Sequence, residues 1–320
     1  MRILSGIQPS GKLHLGNYFG MMRPSLQLQE KGEAYLFIAN YHALTSVHNA
    51  EKIRQSTLDV ALDFLACGLD PERTVFFRQS DVPEVHELSW LLSTVTPMGL
   101  LERCHSYKDK TAKGIAANHA LFAYPVLMAS DILIYQSNIV PVGRDQKQHV
   151  EVTRDIAIKF NNEFGEVFTI PEPSIQSDMA VISGTDGQKM SKSYGNTIEL
   201  FASPKETKNT IMKKIVTDST PLEDPKNPEN CNVFALYKLF ANDEQLTEME
   251  ANYRGGNYGY GHAKKALLSI FNETFAPFRE KREELANNLD YVDEILHKGA
   301  EKARATATTT LDKARTAVGL

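Results

Sequence analysis

Two lysines three positions apart, Lys189 and Lys192, stand among hydroxyls and turn formers in Thr185-Asp186-Gly187-Gln188-Lys189-Met190-Ser191-Lys192-Ser193, with Gly195 just beyond. A cationic loop of this kind can close on the β- and γ-phosphates of a nucleotide and neutralise charge that builds up as pyrophosphate leaves. A second segment, Ile7-Gln8-Pro9-Ser10-Gly11-Lys12-Leu13-His14-Leu15-Gly16-Asn17, lies between a strand pattern and a helix pattern. A helix N-terminus there offers unpaired N–H groups and a positive dipole, Gly16 lets a flat base approach the backbone, and His14 and Asn17 can donate to phosphate oxygens. The segment has no Gly-x-Gly-x-x-Gly, so it is not a dinucleotide fingerprint. In a third segment Tyr124, Met128 and Asp131 fall at i, i+4 and i+7 and share one helix face. Asp131 interrupts an apolar run, where a carboxylate costs free energy unless something donates to it. An indole N–H and a phenol O–H both qualify, so this chemistry alone leaves the two aromatic donors open.

The elements that must position these residues follow from periodicity. Arg2 to Ile7, Ala34 to Ile38, Thr74 to Gln79 and Ile139 to Val142 are strand patterns, and helical patterns follow Gly16 and run from about Glu51 to Leu65, His119 to Tyr135 and Asp145 to Phe160. The alternation predicts an α/β fold, a doubly wound parallel Rossmann-like sheet. We expect residues 1–200 to form that domain, with a helical insertion at about 100–138 carrying the pocket helix. Residues 201–289 should form an all-helical domain and 290–320 terminal helices. Over the last segment Lys298, Lys302, Arg304, Lys313 and Arg315 oppose only Glu301 and Asp312, a basic face that suits either nucleic-acid phosphates or water.

Composition narrows the class. The apolar share of 42% and charged share of 23% are those of a globular protein. A formal net charge of −5 argues against a surface that binds polyanions everywhere, though a local basic patch is compatible with it. Cys67, Cys104 and Cys231 share no short spacing, so neither a disulfide framework nor a protein-held metal site is indicated. The N-terminus runs into a strand pattern with no apolar leader, and no stretch reaches about 18 uninterrupted apolar residues, so a cytoplasmic, untethered protein is expected.

Lys189 to Ser193 matches the Lys-Met-Ser-Lys-Ser signature of class I aminoacyl-tRNA synthetases letter for letter, and His14-Leu15-Gly16-Asn17 resembles their His-Ile-Gly-His, with Leu and Asn as departures. Tyr124-Pro125-Val126-Leu127-Met128-Ala129-Ser130-Asp131-Ile132-Leu133 resembles the bacterial tryptophanyl branch, where tyrosyl enzymes typically carry glutamine in place of Met128. Pro141-Val142-Gly143-Arg144-Asp145-Gln146-Lys147-Gln148-His149 resembles the same branch's Gly-x-Asp-Gln segment, with Arg144 where members usually carry Glu. Asn40-Tyr41-His42-Ala43-Leu44-Thr45 matches Asp-Gln-His-Ala-Ile-Thr in part. The resemblance extends from residue 1 to about 320 and is thin over 200–290.

The resemblance to bacterial tryptophanyl-tRNA synthetases implies activation of tryptophan by ATP, with Mg²⁺ arriving on the nucleotide, and transfer to tRNA(Trp). It implies ATP contacts at Gln8, Pro9, Ser10, Gly16, Asn17, Gly143, Arg144, Asp145, Val181, Lys189, Met190, Ser191, Lys192 and Ser193. It implies tryptophan contacts at Leu4, His42, Tyr124, Met128, Asp131 and Gln146, and a catalytic set of His14, Asn17, Lys189 and Lys192. Residues 201–289 would bind tRNA near the anticodon, the chain would pair as a homodimer, and neither DNA nor a membrane is implied. A tyrosyl-tRNA synthetase is disfavoured by Met128 and the 143–149 segment, and a nucleotidylyltransferase would leave Lys189 to Ser193 unexplained. An idle paralogue that senses tryptophan or binds RNA would have no use for both intact signatures.

Overall fold

The protein is described by a computed structural model covering residues 1–9, 11–104, 107–108, 118–143, 146–175 and 182–320. In chain order the described elements are β1 (Arg2–Ile7), α1 (Leu15–Asn17), α2 (Arg23–Leu28), β2 (Glu33–Ile38), α3 (Asn40–Ala43), α4 (Ala50–Ala66), β3 (Thr74–Arg78), α5 (Glu84–Val95) and α6 (Met98–Glu102). They continue with α7 (His119–Leu133), β4 (Ile139–Val142), α8 (Lys147–Phe164), β5 (Glu172–Ile175), α9 (Pro204–Asn209), α10 (Asn232–Tyr237), α11 (Asp243–Gly255), α12 (Tyr260–Ala286) and α13 (Leu289–Val318). A π-helical turn, Tyr18–Met22, separates α1 from α2.

The sheet is the expected one. Its order is β3-β2-β1-β4-β5, with every pairing parallel, and β1 and β2 run in register from Arg2↔Glu33 to Ile7↔Ile38. The order reverses between β1 and β4, so a crevice opens beyond their carboxyl ends, where open α/β sheets bind ligands. The sequence reading had no β5. Its run Glu172-Pro173-Ser174-Ile175 lacks an alternating pattern and holds a proline, which a strand tolerates at a sheet edge because no ladder donor is needed on the open side.

The chain forms two compact units that are not contiguous in sequence. The first comprises Met1–Gly11, Ser25–Ser177 and Asn288–Leu320; the second comprises Lys12–Pro24 and Asp178–Asn287. The first unit holds the sheet, with a core of Leu4, Phe37, Phe77, Leu88, Val126, Ile132, Val150 and Phe160. The C-terminal segment is a single helix, α13, and lies in this unit on β3 rather than apart from it. A Cβ on Gly299 would fall 1.8 Å from the Phe76 carbonyl oxygen, so only glycine lets helix and strand approach this far. Ala300, Ala303, Ala307 and Ala314 continue the buried stripe.

That packing changes the reading of the basic face. Arg304 donates to Glu84 at 2.8 Å and Arg315 lies 3.5 Å from Glu87, both acids on α5, while Lys298 pairs with Glu294 at 2.6 Å. The sequence pattern counted acids only within the C-terminal segment and so missed those supplied by α5. Arg78, at the end of β3, is tied to both Asp81 and Asp293.

The second unit contains the helices α9 to α12 and no named strand among its described residues. Phe234, Tyr253, Phe271 and Phe275 are buried in it, and Tyr18 meets Phe275 edge-on at 5.1 Å between centroids. Lys226, 4% exposed, is held by the carbonyls of Pro221, Leu222 and Asp224, hydrogen bonds that offset the cost of burying its charge. No described helix is long and apolar enough to cross a membrane.

Candidate active site

In the first unit the site is organised around one buried carboxylate. Asp131 lies in the buried part of α7, which is capped by Asn118, whose side chain accepts from Leu121 N–H, and is tied to α5 through a 2.6 Å bond from Ser130 Oγ to the Val85 carbonyl. Asp131 is 1% exposed. Gln79 Nε2, from the carboxyl end of β3, donates across both its oxygens at 2.9 Å to Oδ1 and 2.8 Å to Oδ2, and His42 Nε2 lies 2.8 Å from Oδ2. Three further contacts fix these partners. Tyr41 N–H donates to Gln79 Oε1 at 3.0 Å, and Thr45 Oγ1 and Gln8 Nε2 both donate to the His42 carbonyl.

Aromatic rings wall the same cluster. Tyr124, two turns before Asp131, meets His42 edge-on at 6.1 Å and His149 at 5.3 Å, with 2.7 Å between Tyr124 Oη and His149 Nε2. Met128 packs against the core between them in sequence. Gly6, on central strand β1, is exposed although its neighbours Ser5 and Ile7 are buried, and a Cβ there would sit 2.5 Å from the Phe37 ring. Burial withdraws the nearby Tyr135 phenol from ionisation: its pKa is raised well above 10, first by desolvation and then by the charges of Asp131 and Glu84. The result is a dry, aromatic-lined surface with one carboxylate acceptor, suited to a flat apolar group bearing a single donor.

The second unit brings together the two signature loops. Leu15 N–H donates to the Ile198 carbonyl at 2.9 Å and Leu200 N–H to Leu13 at 3.2 Å, pairing His14 with Glu199. Gly16 N–H points at Met190 Sδ, 3.3 Å away, and a Cβ on Gly16 would come within 3.4 Å of Met190 Cβ, so the first loop packs directly on the lysine loop. His14 N–H is capped by Asn17 Oδ1 at 3.2 Å. His14 is buried and its pKa is lowered to about 4, first by desolvation and then by the charge of Lys192, so it is neutral at pH 7.

The lysine loop has a rigid floor. Met190 is buried, whereas Lys189, Lys192 and Ser193 are exposed. Asn196, 2% exposed, accepts from Ser191 N–H at 2.8 Å and donates to Asp186 Oδ1 at 2.7 Å and the Lys189 carbonyl at 3.1 Å. The Asn196 amide first, and then the Gln188 N–H, hold Asp186 below the usual carboxylate range. Gly195 takes a φ of 65°, which glycine adopts freely, and ends the short turn Lys192–Tyr194.

Of the residues expected to read an aromatic substrate, the structure brings together His42, Tyr124, Met128 and Asp131. Gln146 is half-buried at the start of α8, and Leu4 lies wholly inside the core at 1% exposure. Gln8 is exposed, Pro9 buried, and Gly143 half-buried at the end of β4. His14, Gly16, Asn17, Lys189, Met190, Ser191, Lys192 and Ser193 gather in the second unit. Ser10, Arg144, Asp145 and Val181 lie outside the described residues. Sequence reasoning missed Gln79, Asn196 and Gly6. The available signal for Gln79 was its place at the carboxyl end of a predicted strand, and for Asn196 a polar residue one position beyond the loop glycine.

With this geometry in hand, the relatives can be set beside it. The family described as tRNA synthetases class I (W and Y) matches residues 1–276. The Tryptophan--tRNA ligase of Fusobacterium nucleatum is 57% identical over all of this chain and 98% of its own length. The crystal structure of tryptophanyl-tRNA synthetase from Campylobacter jejuni complexed with ADP and tryptophan superposes with a TM-score of 0.96 at 54% identity, covering all of both chains. That of the Mycoplasma pneumoniae enzyme superposes at 0.82 with 32% identity, over 100% of this chain and 97% of the other. The chain therefore belongs to the class I tRNA synthetases of the tryptophan and tyrosine family.

Proposed function

We propose that the chain is a tryptophan–tRNA ligase, activating L-tryptophan with ATP to tryptophanyl-AMP and pyrophosphate and then loading tRNA(Trp). The observation that carries this reading is the Asp131 carboxylate, which Gln79 and His42 hold as an acceptor beside Tyr124 and Met128. Two donors reach Oδ2 and one reaches Oδ1, so Oδ1 keeps room for an indole N–H. Met128 supplies polarisable, adaptable surface to the ring. The full-length likeness to the Campylobacter jejuni enzyme crystallised with tryptophan supports the same assignment.

In the first step a tryptophan carboxylate oxygen attacks the α-phosphorus of ATP, the bond to the bridging oxygen breaks, and its electron pair leaves on pyrophosphate. No protein nucleophile is required; the protein positions the reactants and stabilises charge. Lys189 and Lys192 supply cations to the departing pyrophosphate. Neutral His14 offers a phosphate oxygen a hydrogen bond without adding charge, and Asn17 stands beside it; we assign Gln8 separately to ATP contact. Mg²⁺ enters with the nucleotide, and it needs oxygen ligands that phosphates and water provide. In the second step a tRNA ribose hydroxyl attacks the acyl carbon and AMP leaves. We assign ribose and base contacts to Gly143, Arg144, Asp145 and Val181, tRNA contacts to residues 201–289, a homodimer as the working assembly, and the cytoplasm as its compartment.

Amino-acid-dependent exchange of labelled pyrophosphate into ATP tests the proposal. Exchange with tryptophan alone is the expected result. Exchange with tyrosine would transfer the pocket to a tyrosyl enzyme, and nucleotide binding without exchange would make the chain an idle relative.

A further inference from the structure

Gln79 is 1% exposed and has an amide whose orientation the backbone dictates. Its Oε1 accepts from Tyr41 N–H at 3.0 Å, so its Nε2 must face Asp131, where it lies 2.9 Å from Oδ1 and 2.8 Å from Oδ2. The opposite flip would set Oε1 against a carboxylate and leave Tyr41 N–H facing a donor. An amide held this way turns only its donor end to Asp131. His42 adds a second bond to Oδ2 alone. The two oxygens are thereby made unequal: Oδ2 is filled, and Oδ1 carries one donor and has one acceptor position left.

We propose that Gln79 is the positioning residue for substrate reading. It straddles the Asp131 carboxylate so that Oδ1 accepts the donor of the bound side chain, and through Tyr41 it locks the α3 segment carrying His42 to the same geometry. This rests on the reading that Asp131 accepts the indole N–H. Gln79 touches Asp131 and the Tyr41 backbone, and it acts on the substrate through Asp131. The bond to Asp131 joins residues 52 positions apart, the end of β3 to the last turn of α7. A loss at Gln79 therefore lets the carboxylate rotate about its side-chain bonds toward His42, carrying Oδ1 off its line.

The test compares tryptophan with β-(3-benzothienyl)alanine, which has nearly the same shape but a sulfur in place of the N–H. Each is used as substrate for pyrophosphate exchange by the full chain. In the unaltered protein kcat/KM should favour tryptophan by about tenfold or more, the worth of one hydrogen bond to a charged acceptor. In Gln79→Met the preference should collapse toward unity, because tryptophan loses its bond while the analogue had none to lose. Gln79→Leu, which likewise removes the donor and introduces no charge, should do the same and serves if the methionine variant does not fold. A residue that merely supported the fold would weaken both substrates alike and leave the ratio intact, and that outcome in either folded variant overturns the proposal. No preference for tryptophan in the unaltered protein would instead sink the reading of Asp131 itself.

Discussion

The carboxylate of Asp131 is withdrawn almost wholly from water, whereas the ammonium groups of Lys189 and Lys192 stand out in it. In the first unit the side chains are immobilised: the Asp131 oxygens, the Gln79 amide and the His42 ring bond one another, and even the His42 carbonyl takes two donors. In the second unit the backbone is immobilised instead. Asn196 grips the loop through Ser191 N–H, the Lys189 carbonyl and Asp186, and leaves the lysine side chains long and exposed. The difference follows from the two tasks. Telling one flat side chain from another needs an acceptor fixed in a dry site, where an unmade hydrogen bond is costly. Following charge as it moves onto a leaving group needs cations that adjust while their anchor stays put.

The comparison predicts a separation of kinetic effects, with the largest in the second unit. Lys192→Ala and Lys189→Ala should each lower kcat for pyrophosphate exchange by about 100- to 1,000-fold, the usual cost of removing one group that stabilises transition-state charge. Tryptophan affinity measured by equilibrium dialysis without nucleotide should stay unchanged. A large loss of that affinity would mean the lysines help to form the reading pocket, and the division of labour would be wrong.

Asp131→Asn should act in the opposite way. Exchanging a fixed acceptor for an amide that can present either face should cut discrimination between tryptophan and other aromatic amino acids by about 1–3 kcal/mol. The variant should remain able to bind ATP. Unaltered selectivity ratios in pyrophosphate exchange would remove Asp131 from the reading role.

Most of the fold was legible because it is written in local patterns, but the support of the Asp131 carboxylate is long-range. The four strands and the pocket helix follow from period and turn residues. β5 escaped because prolines flank and interrupt it, and an edge strand needs no alternation when one neighbour sets its register. Gln79 gave no sign of its role because its partner is 52 positions away, and a glutamine at a strand end is ordinary in isolation. The same limit hid the neutralisation of Arg304 and Arg315, whose acids come from α5, more than two hundred positions earlier in the case of Arg304 and Glu84. The sequence could show which residues are capable of chemistry, but which of them are already satisfied depends on contacts that only the folded chain makes.

Asn196 sharpens the comparison from the side of the loop. In Asn196→Ala the Ser191 N–H loses its acceptor, a change worth about 1–3 kcal/mol locally. Hydrogen exchange at Ser191 should speed up while exchange across β1 and β2 stays as it was. Asp186, no longer receiving the Asn196 amide, should titrate higher than before. Activity should fall by less than in the lysine variants, because the cations remain and only their anchor loosens.

The smallest expected effect concerns His14, where burial and charge act on one ring. Its pKa of about 4 is below the ordinary 6.5 because desolvation, the larger cause, and the Lys192 ammonium both disfavour the imidazolium. The unfolded chain takes up this proton as pH falls through about 6.5 and the folded chain only near 4, so between those values acidification favours unfolding and below them the contribution levels off. The ring should therefore stay neutral in an NMR titration at pH 6. Lys192→Met should move the midpoint up by a fraction of a unit and no further, since the exposed ammonium is screened by water and the burial remains. A shift that carried His14 back to 6.5 would make the lysine, not the packing of Gly16 on Met190, the cause of its neutrality, and the second unit would then owe its chemistry to a mobile charge rather than to a fixed floor.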